Sequence, residues 1–226
     1  MKYENIKEAT FLKRPNRFIA YGEIEGKEEV IHVKNTGRCK ELLVPGAKIY
    51  VQYCNHSNRK TKWDLIGVEK KTENRNRLIN MDSQAPNAAV KEWLESFSGL
   101  QVFPEKKHGD SRFDFYVEGP EKKAFIEVKG VTLEKDGVVL FPDAPSIRAV
   151  KHVHGLMEAI QEGYEAYVFF VVQMENVKYF IPNAETHPEF AQALKDAKAA
   201  GVHIVAYDCK ITEDNMKINQ PVEVRL

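Results

Sequence analysis

Residues 112–129 read Arg-Phe-Asp-Phe-Tyr-Val-Glu-Gly-Pro-Glu-Lys-Lys-Ala-Phe-Ile-Glu-Val-Lys. In the first six residues Phe113, Phe115 and Val117 alternate with polar or amphipathic side chains, which predicts a strand with these three on one face. Gly119-Pro120 is typical of a turn, and the last six residues predict a second strand. The segment is therefore predicted to form a β-hairpin.

This hairpin would bring two carboxylates and an amine onto one surface. Asp114 lies on the first strand, whereas Glu127 and Lys129 lie two residues apart on the second and share a face, roughly 7 Å apart. Mg²⁺ is typically held by one or two carboxylates together with water and phosphate oxygens. It lowers the pKa of a bound water, and a neighbouring lysine can stabilise charge on a phosphate. The three side chains indicate either a metal-dependent phosphodiester site or an ordinary surface hairpin with a Glu–Lys pair.

The composition is that of a folded globular protein. The chain has 226 residues, of which 43% are hydrophobic and 29% charged, enough for one large domain or two small ones. The first residues contain no apolar leader, and no apolar run reaches the 18 residues of a membrane span. Cys39, Cys54 and Cys209 form no Cys-x-x-Cys pair and are expected to be reduced thiols. We therefore expect a cytoplasmic protein with no membrane association.

The charge is distributed unevenly along the chain. Residues 1–80 contain 17 Lys and Arg against 10 Asp and Glu, a balance of +7, and residues 81–226 have the opposite balance of −7. A basic binding module followed by an acidic, metal-binding module would give this pattern. Chance and solvated charged faces would give it as well.

The N-terminal region is predicted to be a small barrel. Apolar residues alternate or cluster at 10–21, 28–33, 47–53 and 63–69, separated by short turns. Five strands in about 80 residues fit an OB-like barrel, a frequent binder of single-stranded nucleic acid. Residues 72–80 are polar and predict a linker.

One loop of this module could hold phosphates. Lys34, Asn35, Thr36, Gly37 and Arg38 combine positive charge, hydrogen-bond donors and backbone freedom. Arg14 and Arg17, close to Phe18 and Tyr21 in sequence, could add charge and stacking. The same composition also suits a simple turn.

The C-terminal region, residues 81–226, alternates predicted helices and strands and indicates a mixed sheet between helices. The predicted helices are 87–97, with the apolar stripe Ala89, Trp93 and Phe97; 146–162, capped by Ser146 and burying Val150, Val153, Met157 and Ile160; and 190–200. The predicted strands after the hairpin are 138–141, 166–172 and 202–207, and residues 210–226 are expected to be peripheral. Two features of the helices remain open. Glu92 is either a third acid of the site or a solvated residue, and the cluster Arg148, Lys151 and His152 is either a phosphate grip or a solvated face.

Several motifs together resemble the sugar fermentation stimulation protein family of bacteria and archaea. They are His32-Val-Lys-Asn-Thr-Gly-Arg38, Glu41-Leu-Leu-Val-Pro-Gly46, Phe113-Asp-Phe115, Ile126-Glu-Val-Lys-Gly-Val-Thr132, Phe141-Pro-Asp-Ala144 and Arg148-Ala-Val-Lys-His152. The resemblance covers nearly the whole chain in order. It implies a two-domain α/β protein with an OB-like barrel at 1–80 and an α/β/α domain like that of PD-(D/E)xK nucleases at 81–226. It also implies DNA binding and a link to the regulation of sugar utilisation genes.

The resemblance assigns roles to particular residues. Asp114 and Glu127 would bind the metal, Lys129 would be the catalytic lysine, and Glu92 would be the helical acid of the nuclease fold. Phe113 stands where the literal motif has proline. The residues expected to contact nucleic acid are Arg14, Arg17, Lys34, Asn35, Thr36, Gly37, Arg38, Arg148, Lys151 and His152.

The resulting hypothesis is a cytoplasmic protein that binds DNA, or RNA, and cleaves it with Mg²⁺ or Mn²⁺. The alternative is a transcriptional regulator of sugar fermentation genes that binds DNA without cleaving it. The sequence shows no helix-turn-helix pattern, which counts against reading of the major groove by that motif. Gly-rich phosphate loops and the Gly-x-Ser-x-Gly motif are also missing from the sequence.

Overall fold

The N-terminal part of the chain folds into a closed five-stranded barrel. The structure is a computed structural model that describes residues 1–35, 37–54, 61–72 and 76–226. The barrel strands are β1 (Ile6–Lys13), β2 (Ile19–Ile24), β3 (Lys27–His32), β4 (Lys48–Tyr53) and β5 (Trp63–Lys71). β1 pairs with β2 and β4, β2 with β3 and β4 with β5, all antiparallel, and the barrel closes where Ile31 and His32 pair parallel with Trp63 and Asp64. The predicted OB-like barrel is confirmed.

The predicted linker at 72–80 contains a further strand. β6 (Asn76–Asn80) pairs antiparallel with β5, and Ile79 on it is fully buried. The linker prediction is therefore wrong for 76–80, while residues 73–75 lie outside the described part of the chain. The polar composition concealed this strand because Arg77 is itself buried, with its guanidinium 2.7 Å from the carboxylate of Glu134.

The C-terminal part is a three-layered α/β/α arrangement. Its elements are α1 (Ala85–Glu95), β7 (Gln101–His108), β8 (Ser111–Glu118), β9 (Lys123–Val131), β10 (Leu133–Lys135), β11 (Val138–Phe141), α2 (Ile147–Gln161), β12 (Glu165–Val172), β13 (Tyr179–Pro182), α3 (Pro188–Ala199), β14 (His203–Thr212) and β15 (Asn215–Val222). The main sheet has the order β15-β14-β12-β9-β8-β7, in which β9, β12 and β14 run parallel. The buried side chains of α2 and α3 pack on one face of this sheet and those of α1 on the other. The predicted mixed sheet between helices is confirmed.

The apolar run of β12 and the capping residue of α2 have the structural roles that the sequence predicts. β12 is buried almost throughout, as a nearly continuous apolar strand covered on both faces should be. Ser146 has an extended backbone, and its hydroxyl accepts a 3.2 Å hydrogen bond from the amide of Ala149, which caps α2. No helix in the described ranges is long and apolar enough to cross a membrane; α2, the longest described helix, has 15 residues.

Three predictions about buried positions are correct only in part: Val153 and Ala89 are buried as predicted, but other positions differ. The buried face of α2 is formed by small residues with a few larger ones, Ala149, His152, Val153, Gly155, Leu156 and Ala159, whereas Val150, Met157 and Ile160 are half-buried. α1 buries Ala85, Pro86, Ala89, Val90 and Leu94, and Phe97 lies exposed beyond its end. The tail is part of the sheet, because β15 pairs with β14 and Met216 is fully buried.

The barrel and the sheet are joined by buried polar contacts. The side-chain amide of Gln173, at the end of β12, donates to the backbone carbonyls of Asn80 and Asp82 at 3.0 and 3.1 Å. Glu134, also buried, pairs with Lys70 at 2.6 Å and with Arg77 at 2.7 Å. The Gln173 contacts hold the segment before α1, which begins three residues after Asp82, against the end of β12.

Candidate active site

Asp114 lies where the ladder between β8 and β9 opens. The two strands pair regularly from Phe115–Ile126 to Glu118–Lys123. One step beyond, Asp114 Oδ2 accepts a 2.7 Å hydrogen bond from the backbone amide of Val128, and Oδ1 accepts one of 2.7 Å from the side chain of Asn87 on α1. At this position the amide of Val128 therefore bonds to the side chain of Asp114 instead of to the backbone of β8, and this holds the carboxylate in a fixed orientation.

The chain changes face at this point. Phe113 packs against Phe125 on the α2 side of the sheet, with ring centroids 5.4 Å apart, whereas Phe115 and Val117 belong to the cluster on the α1 side. The prediction that Phe113 shares a face with Phe115 and Val117 is therefore wrong. Side chains alternate strictly only while the strand is regular, and the irregularity falls at Asp114.

Glu127 is buried at the middle of the site. Its Oε1 accepts hydrogen bonds from Lys129 Nζ and from His152 Nδ1, both at 2.5 Å. The other ring nitrogen of His152 lies 3.4 Å from Arg148 Nε. Because an arginine nitrogen can only donate, His152 in its neutral form carries its proton on Nδ1 and donates it to Glu127.

The second oxygen of Glu127, Oε2, is buried and has no hydrogen-bond partner among the described residues. A buried acceptor without a partner costs about 1–3 kcal/mol, more when it is charged. The orphaned oxygen is therefore a position at which a cation would be stabilised.

The two carboxylates of the site are driven apart in their pKa. Burial, and then the negative charge of Glu127, raise the pKa of Asp114, against the opposing effects of the Val128 amide, Asn87 and Lys129. For Glu127 burial acts in the same upward direction. The hydrogen bond from His152 and the interactions with Lys129 together outweigh burial and lower the pKa of Glu127. A raised pKa on one carboxylate and a lowered pKa on the other is the pattern expected of two neighbouring acids, which repel each other when both are ionised.

The donor set fits a hard divalent cation with open coordination positions. Asp114 and Glu127 supply two carboxylates, and Mg²⁺ sites commonly use one or two, with the remainder filled by water and phosphate. Within the described ranges, no three His, Cys, Asp or Glu side chains are grouped so that they could hold a metal ion. Two carboxylates alone would leave coordination positions open to water or phosphate, unlike the four protein ligands of a closed zinc site.

Glu92 does not join this group. Its side chain is 58% exposed, and its carboxylate lies 2.5 Å from the amino group of Met1. The residue of α1 that reaches the site is Asn87. Five residues separate the two along the helix, which places their side chains about 140° apart. The prediction that Glu92 supports the site is therefore wrong. The orientation of α1 about its own axis points Asn87, and not Glu92, toward Asp114.

The guanidinium of Arg14 stabilises the barrel loop through hydrogen bonds to its backbone. It donates to the backbone carbonyls of Arg17, Asn35, Gly37 and Arg38 at 2.7–3.0 Å. Asn35 shapes the same loop, since its Oδ1 accepts the amide of Gly37 at 2.8 Å. These two side chains hold the loop together, so contact with nucleic acid would fall to their neighbours.

The remaining residues of the loop differ in their availability. Lys34 is paired with Asp82 at 2.8 Å and with Asp64 at 3.5 Å, so its charge is largely compensated. Thr36 lies outside the described residues. Arg17 and Arg38 have exposed side chains along a cleft of about 550 Å³ on the barrel.

The three predicted cations of α2 also differ. Arg148 and Lys151 are exposed at the surface beside the site, whereas His152 is buried and bonded to Glu127. His152, which was predicted to contact nucleic acid, thus lies in the site as a partner of the carboxylate.

An apolar cavity of about 540 Å³ lies elsewhere, between α1 and the sheet. Trp93, Phe169 and Tyr207 form part of its wall, and its charged rim residues Lys122 and Glu165 are paired with each other. Its two acids, Glu121 and Glu165, lie at the rim and neither is buried as Glu127 is, so we place the candidate chemistry at Asp114 and Glu127.

Comparison with known proteins agrees with this architecture over the whole chain. Residues 12–81 match the model of the SfsA N-terminal OB domain, and residues 84–215 match that of the sugar fermentation stimulation protein RE domain. The solved structure of Pyrococcus furiosus SfsA in complex with Ca²⁺ superposes with a TM-score of 0.86 at 26% identity, covering 100% of this chain and 98% of that one.

Curated relatives are similar over their full length. A sugar fermentation stimulation protein homolog from Desulfitobacterium hafniense is 55% identical over 229 residues, covering 100% of this chain and 99% of the relative. The homolog from Clostridium beijerinckii is 56% identical over 230 residues, covering 100% of both. With both halves matched and such identity throughout, the chain belongs to the sugar fermentation stimulation protein family.

Proposed function

We propose that this protein hydrolyses phosphodiester bonds of DNA, or RNA, at Asp114, Glu127 and Lys129 with Mg²⁺ or Mn²⁺. The observation that carries the proposal is the buried Glu127. One of its oxygens is fixed by Lys129 and His152, and the other has no hydrogen-bond partner among the described residues and lies near a second acid. A structural carboxylate would be expected to have both oxygens satisfied.

The residues of the site divide the work. Asp114 and Glu127 would hold the ion, which when bound polarises the phosphate and lowers the pKa of a bound water. Lys129 sits within hydrogen-bond distance of Glu127, from where its amine can stabilise charge developing on a phosphate oxygen or orient the attacking water. Asn87 and His152 act as positioning residues, because each fixes one oxygen of a metal-binding carboxylate.

Nucleic acid is the phosphodiester substrate that the surface favours. Arg148 and Lys151 on α2 and Arg17 and Arg38 on the barrel are exposed cations on both domains. Contacts of such side chains with phosphates supply most of the affinity of non-specific binding. The related Pyrococcus furiosus protein forms a complex with Ca²⁺, which supports a site for hard cations in the family.

The direct test is cleavage of labelled single- and double-stranded DNA and RNA with Mg²⁺, Mn²⁺ or EDTA. We expect cleavage that requires metal and is lost in Lys129→Ala and Asp114→Asn. The matched control is Lys122→Ala, which removes a lysine paired with Glu165 on the rim of the apolar cavity. Equal cleavage by Lys129→Ala and wild type would exclude the mechanism. Tight, salt-dependent DNA binding without cleavage under any metal would instead support the non-cleaving regulator.

A further inference from the structure

Ile147 is exposed to an unusual degree for a large aliphatic residue. Its relative exposure is 87%, while the other exposed large hydrophobic residues that the structure describes range from 36% to 52%. It occupies the first position of α2, where neither helix propensity nor core packing calls for isoleucine. Folding therefore gains almost nothing from this side chain.

The segment that carries Ile147 is held firmly. Ser146 caps α2 immediately before it. In the preceding turn the side-chain amide of Asn183 donates to the carbonyl of Pro142 at 2.9 Å. Asp143 Oδ2 accepts a 3.1 Å hydrogen bond from the backbone amide of Arg38 in the barrel loop. An apolar side chain thus projects into solvent from a support fixed by both domains.

The surroundings of Ile147 suit a polyanion. Lys151 and His154 lie four and seven residues further on, so they share the exposed face of α2 with Ile147. Arg148 is exposed next to it, and the first turn of α2 contains no acidic residue. His152, the partner of Glu127, is five residues away, about 7.5 Å along the helix axis and about 140° around it. The projecting side chain therefore stands beside exposed positive charge, and Arg148, whose Nε lies 3.4 Å from His152 Nε2, connects this surface with the candidate site.

We propose that Ile147 is a wedge that enters the stack of bases of a nucleic acid bound at the site and separates two adjacent bases. Apolar side chains inserted between base steps unstack and kink a duplex in this way, while Arg148 and Lys151 would hold the flanking phosphates. Pyrimidine–purine steps unstack most easily, so the wedge makes deformable or mismatched steps the preferred substrates. The inference rests on the proposed function, since it needs nucleic acid in the site.

The test uses duplexes that contain one 2-aminopurine, whose fluorescence rises when it is unstacked, and the full-length Lys129→Ala protein in Mg²⁺ to keep the substrate uncut. Binding is followed by anisotropy in the same samples. We expect a fluorescence rise of several-fold at one or two adjacent positions. Adding Ile147→Ala should remove the rise and weaken binding roughly tenfold, the loss expected from one buried isoleucine. Ile147→Leu should retain both.

The matched control is Val30→Ala, which truncates an exposed β-branched residue on barrel strand β3 and should change neither signal. Because Ile147 is exposed, its variants should have the same melting temperature as the wild-type protein. Binding without any fluorescence rise, or a rise that survives Ile147→Ala, overturns the wedge and leaves the proposed function standing. A smaller sedimentation mass of Ile147→Ala would overturn it too, by showing that a second copy of the chain covers this side chain. If no nucleic acid binds, the proposed function and the wedge fall together.

Discussion

Replacing Asp114 by asparagine should stabilise the metal-free protein at neutral pH. Burial and the charge of Glu127 raise the pKa of Asp114, so the folded protein binds this proton more tightly than the unfolded chain does. The resulting stabilisation is complete below the unfolded pKa and is lost as the pH rises through the folded pKa. At pH 7 the ionised carboxylate therefore opposes folding, and asparagine removes that effect. Asn87 can turn its amide so that its oxygen accepts from the new side chain, while Val128 keeps its bond.

The same substitution should remove stabilisation by divalent cations. A ligand that binds only the folded state adds about 2.7 kcal/mol at 100 times its Kd. In a chain of 226 residues each kcal/mol raises the melting temperature by about 2–4 °C. Wild type should therefore melt about 5–10 °C higher in Mn²⁺ than in EDTA, and Asp114→Asn should melt at nearly the same temperature in both.

The assay is calorimetric melting at pH 5 and pH 7, with Asp110→Asn as the control that removes an exposed carboxylate from the turn between β7 and β8. The advantage of Asp114→Asn over wild type in EDTA should be larger at pH 7 than at pH 5. A melting temperature of Asp114→Asn below that of wild type in EDTA at pH 7 would refute the reasoning. Retention of the full Mn²⁺ shift by the variant would refute it equally.

Three other variants test the remaining parts of the account. Lys129→Ala should lower the single-turnover cleavage rate about 10²–10³-fold yet keep the Mn²⁺ shift in melting, because the amine is not a metal ligand; loss of the shift would contradict its role. Gly130→Ala places a Cβ 2.6 Å from the side-chain oxygen of Gln173. It should lower the free energy of unfolding by about 1–3 kcal/mol, measured in urea. An unchanged urea midpoint would show that the side chain of Gln173 moves aside without cost. Glu134→Ala leaves the buried Arg77 and the half-buried Lys70 without their partner and should cost about 3–5 kcal/mol, which the same urea titration measures; a loss under about 1 kcal/mol would show that these cations find other partners.

The barrel and the layers could be predicted because their signals are local. Alternation and short turns mark β1 to β5, the apolar run at 166–172 marks a strand buried on both faces, and Ser146 marks the start of α2. The strands that were not predicted lack such signals. β7 is a mostly exposed edge strand with Pro104, Lys106 and Lys107, residues typical of edges that resist further pairing.

The site could be predicted only in part. Asp114, Glu127 and Lys129 stand out because they are polar residues within apolar strands. The roles of Asn87 and His152 depend on how α1 and α2 are rotated against the sheet, which tertiary packing decides. His152 is buried although it lies one residue from the predicted apolar stripe, because the buried face of α2 is centred on Ala149, Val153 and Leu156.

In the loop at residues 34–38, too, tertiary contacts decide the roles of the side chains, and the sequence alone does not show them. Its composition suggested phosphate binding, and sequence could not distinguish charges that face solvent from those that build the loop. Arg14 is used by four backbone carbonyls and Lys34 by two carboxylates, whereas Arg17 and Arg38 have exposed side chains. Such pairings join residues up to 48 positions apart and have no local signal.

Whether Asp114 and Glu127 share one divalent ion is tested most directly by anomalous diffraction from crystals soaked in Mn²⁺. We predict a single strong peak about 2–2.5 Å from an oxygen of Asp114 and from Oε2 of Glu127, and no such peak in Asp114→Asn. Crystals that show Mn²⁺ only at other carboxylates, or none at millimolar concentration, would contradict a shared ion at this pair.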